Sequence, residues 1–177
     1  MAAPTAEERV RMRGYLLHQS EALSWPALWL RVTPARLGFM EALRDVKEEQ
    51  ARFRPAADEW SILEVTAHLA AHSAAVVACI ETLAAGGSVL GGPTVDEYIA
   101  PGEVSFGAWR DRLVETGMQL TALVSRLPEP APVEATHAHG YFGELHCKAW
   151  YLFQRVHDLD HTQQIASIKA APGYPTR

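Results

Sequence analysis

Basic clusters are missing from this chain. Acidic residues outnumber lysine and arginine, the formal charge is −5, and no Lys/Arg block appears anywhere. A phosphate-binding partner needs a basic footprint, so nucleic acid is excluded as an expected ligand. Cysteine is scarce. Cys79 and Cys147 stand far apart, match no CxxC spacing, and read as free thiols of a reducing compartment. The glycine-rich stretch "GGSVLGGPTVDEYIAPGE" (86–103) lacks a following Gly-Lys-Ser/Thr and a preceding strand, which excludes a P-loop and a dinucleotide fold. No uninterrupted apolar run approaches the roughly 20 residues of a membrane span. The N-terminus, "MAAPTAEERVRMRG", has charges of both signs and no apolar h-region, so it does not read as a secretory signal. Strand alternation and internal repeats are absent too. What remains is a cytoplasmic globular protein, its 177 residues forming one domain with a core of its own.

What is present is helical nearly throughout. Thr5 followed by Glu8 makes a capping box for a first helix. Pro26 and Pro34 interrupt the next stretch, giving a short helical piece and then a helix from about Thr33 with Pro34 in its first turn. The apolar run "WPALWL" (25–30) reads either as an interface or as packing on its own bundle. Ser61 and Glu64 form a second capping box. Behind it Ile62, Val65, Leu69, His72, Val76, Cys79 and Leu83 recur at spacings of three and four, the seam of a buried helix that ends at Gly86-Gly87. The 86–103 linker is long enough to cross between parallel neighbours. A third helix is expected from about Ser105 to Arg126, with Trp109, Leu113, Leu120 and Leu127 facing the core. A loop, "PEPAPVEATHAHGYFG", precedes a last helix from about Glu144 to Lys169, with Leu145, Ala149, Leu152, Val156 and Leu159 as its seam. "APGYPTR" reads as a loose tail. The pattern is that of an all-α bundle.

The last helix carries "RVHDLDHTQQI". His157 and His161 are four residues apart, and steps of about 100° bring them to one face. They share a stripe with Trp150, Phe153, Ile165 and Ile168. The pair reads either as a metal grip or as two helix histidines on a common face. A zinc-protease motif needs glutamate directly after the first histidine; Asp158 stands there instead, which excludes that chemistry. Asp160 reads as a solvated helix charge or as a carboxylate orienting a ligand. A metal site needs a third donor, and His68 is the candidate; His72 falls on the seam and reads as structural.

Two stretches, "FRPAADEWSILEVTAHLAAHS" and "HGYFGELHCKAWYLFQRVHDLDHTQQI", resemble the DinB/YfiT-like superfamily of metal-dependent proteins. The first matches its Trp-Ser-x-x-Glu-x-x-x-His-Leu run at Trp60, Ser61, Glu64, His68 and Leu69. The second matches a His-x-x-Phe-Gly loop at His139, Phe142 and Gly143, then the His-x-x-x-His helix at His157 and His161. The resemblance covers about residues 33–168. It implies a four-helix bundle of up-down-down-up topology, with the long crossover between helices 2 and 3. It also implies one divalent metal at one end of the bundle, held by His68, His157 and His161, and a homodimer. Residues 1–32 form a helical extension beyond that pattern, and Gly140 stands where the family's loop has proline.

Three neutral imidazoles suit zinc or nickel and leave a position open for a small molecule. Two chemistries fit: hydrolysis by activated water, or activation of a low-molecular-weight thiol for transfer or isomerisation, since the resembled family includes thiol-dependent transferases. The alternative is a non-catalytic, stress-linked metal- or small-ligand-binding protein, because no dedicated general base stands beside the histidines. Trp60, His139, Tyr141 and Phe142 are the candidates to line the mouth and meet a small-molecule substrate; Phe142 also reads as packing under the loop.

Overall fold

The computed structural model describes residues 4–92 and 100–175. Six helices and one short hairpin follow in the order α1 (Ala6–Ala22), α2 (Trp25–Ala42), α3 (Glu48–Ala51), α4 (Ile62–Ala84), α5 (Phe106–Leu123), β1 (Thr136–His139), β2 (Gly143–His146) and α6 (Cys147–Ala170). Both expected capping boxes form. The Thr5 and Ser61 hydroxyls accept from the backbone N–H of Glu8 and Glu64, whose carboxylates accept in return from the capping residues' N–H groups.

Two apolar clusters fix the chain directions. One gathers Trp25, Leu28 and Val32 with Val76, Ile80 and Leu83, Leu120 and Leu123, and Trp150 and Phe153. The other gathers Phe39 and Leu43 with Ile62, Val65 and Leu69, Phe106 and Leu113, and Ile165 and Ile168. Thus α2 and α6 start at the first cluster and finish at the second, while α4 and α5 run the opposite way. The four long helices form an up-down-down-up bundle. The crossover from α4 to α5 joins parallel neighbours, its residues 93–99 lying outside the described set. Helix α1 packs across α6 and β2.

Several local expectations change. Helix α2 begins at Trp25, not at Thr33, and Pro34 lies inside it. A proline within a helix costs about 3 kcal/mol or more. Burying Trp25 and Leu28 along the stripe that continues through Val32, Ala35 and Phe39 offsets this, at roughly 1.5–3 kcal/mol per large side chain. Pro34 itself faces outward. The "WPALWL" run therefore packs mainly on its own bundle, with Leu30 left exposed.

The expected loop before α6 contains a two-stranded antiparallel hairpin, Thr136 pairing with His146 and His139 with Gly143. Gly143, at φ +68°, opens β2 in a conformation that side-chain-bearing residues rarely adopt. With 143–146 in the strand, α6 starts at Cys147, and the His146 ring caps it by accepting from the Ala149 N–H at 3.4 Å. The α6 seam also departs from expectation. Leu145, Ala149 and Leu152 are buried, but Leu159 is exposed, and Asp158 is fully buried in its place. As far as Pro175 the tail is docked rather than loose: Tyr174 meets Phe53 edge to face at 5.6 Å, and the Pro175 carbonyl accepts from Gln50 Nε2 at 2.9 Å.

Helix α4 is long and apolar enough to cross a membrane by composition alone, but 78% of its apolar window is buried inside the fold. Cys79 and Cys147 are buried free thiols, and burial pushes Cys79 up to about 12.

Candidate metal centre

The site begins with the cap of α4. Ser61 fixes the helix start, and Glu64 uses one carboxylate oxygen for the cap and the other for Arg54. Seven residues beyond the cap, His68 projects toward α6. On α6, residues 147–154 are all buried, wedging the helix among α1, α2 and α4. That burial turns the His157–His161 stripe inward.

The three expected ligands come together. His68 Nε2 lies 3.1 Å from His157 Nε2, and His161 Nε2 lies 2.9 Å from the same atom. Among the described residues these three form the group of potential donors whose ligand atoms all fall within 4.8 Å of one another. The separations fit a metal. Nitrogens bound at about 2.0–2.1 Å with tetrahedral angles stand roughly 3.3–3.4 Å apart, within a few tenths of an ångström of the spacing here. The His161 Nδ1 is 2.8 Å from Gln164 Oε1. With the carboxamide oxygen as acceptor, the proton sits on Nδ1 and the Nε2 lone pair is left to face the cluster.

Burial keeps the His157 ring neutral, the form that ligates metals. His157 is held well below its ordinary pKa by burial and then by His72, His161, His68 and Arg36. The residue as a whole is half-buried, yet its Nδ1 is inaccessible. His72 is pushed down to about 3, again first by burial. Its ring stands 4.3 Å from that of His157, but its nitrogens do not join the three-way group.

The walls are aromatic. The Trp60 ring centroid is 5.1 Å from that of His68, and Phe153 stacks on His157 at 5.3 Å. His139, at the end of β1, meets the edge of Phe153 at 4.5 Å and stacks on Phe142 at 4.6 Å. Trp60 and Phe153 therefore stand against the cluster, His139 reaches it through Phe153, and Phe142 backs His139. Tyr141 is set further out, its ring under the Arg9 guanidinium at 5.0 Å and 6.2 Å from His139.

Sequence reasoning missed several groups. Phe153 lies on the stripe the sequence shows, and its role as a wall has no sequence signal of its own. Gln164 had a usable signal, the i, i+3 spacing from His161. Asp158 is bound to Arg36 and not to a histidine: Arg36 Nε donates to its Oδ2 at 2.9 Å, Arg36 Nη2 donates to Ser73 Oγ at 2.8 Å, and Ser73 Oγ donates to Gln154 Oε1 at 3.2 Å. Burial pushes the Asp158 carboxyl up, and Arg36 holds it partly back. Nothing in the local pattern links Arg36 to a residue 122 positions away. Asp160 is exposed. The histidines stand where the two apolar clusters meet, about midway along α6, and not at one end of the bundle.

A helical bundle with three imidazoles converging from two helices defines the class, a bundle with a candidate metal centre. Residues 33–165 match the DinB superfamily, and the chain belongs to it. Members of this superfamily often bind metal. No curated protein matches the chain. Among solved structures, one described as TT2238, a four-helix bundle protein, is 18% identical. The match covers 81% of this chain and 99% of that one, with a TM-score of 0.63. At that identity the likeness is one of fold.

Proposed function

We propose that this chain is a metal-dependent enzyme in which His68, His157 and His161 hold one divalent ion, zinc or nickel, and a small thiol is the nucleophile brought to it. The observation that carries the reading is the convergence of three Nε2 atoms, with separations of 2.9 and 3.1 Å from His157 Nε2, against the rings of Trp60 and Phe153. A bound ion supplies Lewis acidity, enough to deprotonate a coordinating thiol or to lower the pKa of water toward about 7.

The protein's own residues supply the rest. Asp158, the carboxylate next to His157, is committed to Arg36, and Glu64 serves the α4 cap and Arg54. Neither is placed as a general base, which favours a nucleophile that needs no protein base. Trp60 and Phe153 set apolar rings against His68 and His157, and His139 adds a polar ring beside Phe153. Thiol-dependent transfer or isomerisation of a small molecule is the reaction class that follows.

Cobalt-substituted protein tests this. Titration with a glutathione-like thiol is expected to raise a thiolate-to-metal charge-transfer band that is absent from His157→Ala. A retained metal with no spectral response to thiol would turn the reading to hydrolysis by activated water. A metal that exchanges neither thiol nor water would leave a non-catalytic binding protein.

A further inference from the structure

Among the described residues, six buried side-chain nitrogen or oxygen atoms have no hydrogen-bonding partner, and five of them belong to residues of neighbouring positions on α2, α4 and α6. They are Arg36 Nη1, His72 Nδ1, Gln154 Nε2, His157 Nδ1 and Asp158 Oδ1. Their residues are tied together from three helices. Arg36 on α2 binds Asp158 on α6 and Ser73 on α4, and Ser73 binds Gln154 on α6. Gln154 precedes His157 by three residues and Asp158 by four, so its carboxamide sits on the α6 surface between them. The His72 ring closes the α4 side, 4.3 Å from His157.

The two α6 histidines differ in how their outer nitrogens are held. His161 Nδ1 has Gln164 Oε1 at 2.8 Å, while His157 Nδ1 has no protein acceptor. A histidine that ligates through Nε2 carries a proton on Nδ1, and that N–H needs an acceptor. The nearest carboxylate in the chain, Asp158, cannot supply it directly, because adjacent helix residues point about 100° apart. A bridge can. Three donors (Arg36 Nη1, Gln154 Nε2 and the His157 N–H) and two acceptors (Asp158 Oδ1 and a neutral His72 Nδ1) form a set that internal water satisfies, since one buried water typically makes about three hydrogen bonds.

We propose that Asp158 and Arg36 are positioning residues of the metal centre, anchoring ordered water that takes up the Nδ1–H of His157 and fixes its ring. The proposal rests on the three-histidine reading above. It gives Asp158 a part that neither general-base chemistry nor core packing assigns: an outer carboxylate acting on its neighbour through solvent.

The test uses the full chain loaded with cobalt. Wild-type protein is expected to show hyperfine-shifted, slowly exchanging imidazole N–H signals from both His157 and His161. Asp158→Asn keeps the shape and removes the charge. It is expected to weaken cobalt affinity about 10–100-fold, shift the d–d bands and speed exchange of the His157 N–H, with helix content unchanged. Arg36→Lys should restore part of what a neutral residue at position 36 loses. Wild-type affinity and spectrum in Asp158→Asn would overturn the proposal. If that variant does not fold, the wild-type spectrum decides: a His157 N–H exchanging as fast as a solvent-exposed imidazole overturns it. Failure of wild-type protein to hold cobalt at all is a separate outcome, seen before any variant is made, and it removes the metal reading itself.

Discussion

Helices α4 and α6 each carry histidines four residues apart, yet the two pairs end differently. On α6 both rings send Nε2 into the cluster; on α4 only His68 does. Spacing alone puts each pair on one face. What separates them is the surroundings. His161 is oriented by Gln164, and His68 lies against Trp60, whereas the buried His72 leans on Phe153 and His157 with an unpartnered Nδ1. A His-x-x-x-His pattern is thus a statement about direction, and the helix packed opposite decides which nitrogens come within reach of one another.

The sharpest way to break the comparison is to truncate each ring. Alanine at position 68, 157 or 161 should lower zinc affinity by orders of magnitude, measured by competition with a chromophoric chelator, while circular dichroism stays helical. His72→Ala should leave affinity within about threefold. Equal loss from His72→Ala and His161→Ala would erase the distinction between the pairs.

Next in size is the effect of Gln164. Gln164→Ala should weaken metal binding about 10–100-fold, the usual consequence of losing the partner of a ligand's outer nitrogen. Affinity unchanged in that variant would mean the 2.8 Å contact does not set the His161 tautomer.

Acid sharpens the contrast from the other side. The folded chain holds His72 at about 3, below the unfolded value of roughly 6.5. Between those values the unfolded state binds a proton the folded state refuses, so stability falls as pH drops below about 6.5. The slope is about 1.4 kcal/mol per pH unit for each such group. Burial depresses His157 and His146 in the same direction. In chelator, urea unfolding of wild type should therefore lose stability between pH 7 and 5 faster than His72→Ala does. Parallel curves would show that His72 titrates normally.

The smallest effect belongs to the cap. Ser61→Ala should cost about 0.5–2 kcal/mol with or without metal. An unchanged midpoint in both conditions would mean the α4 start does not depend on the Ser61 hydroxyl.

Legibility followed range along the chain. Helix α4 was readable from end to end because its signals are local: a capping box three residues wide, a seam at spacings of three and four, and glycines after the last turn. The His157–His161 face was readable for the same reason. Convergence with His68, 89 positions away, came through family resemblance and not through periodicity. Pro34 misled because a local breaker was outweighed by tertiary burial of Trp25 and Leu28. The hairpin escaped because four-residue strands are too short to show alternation and exist only by pairing with each other. On α6, Leu159 reads as seam, yet the buried residue is Asp158, held by the Arg36 guanidinium, and nothing near Asp158 in sequence announces it.

The histidines and the Arg36–Asp158 pair together form a polar storey between two apolar ones, and that division bears on how the bundle opens. A core split this way has two cooperative units, and only the long helices that pass through both hold them in step. Amides near Val65 and Val76, on either side of the storey in α4, should report separate opening free energies by hydrogen exchange in chelator. An ion pinning α4 to α6 at the boundary should draw those two values together, so the same residues that bind metal would set whether the molecule opens in parts or as one body.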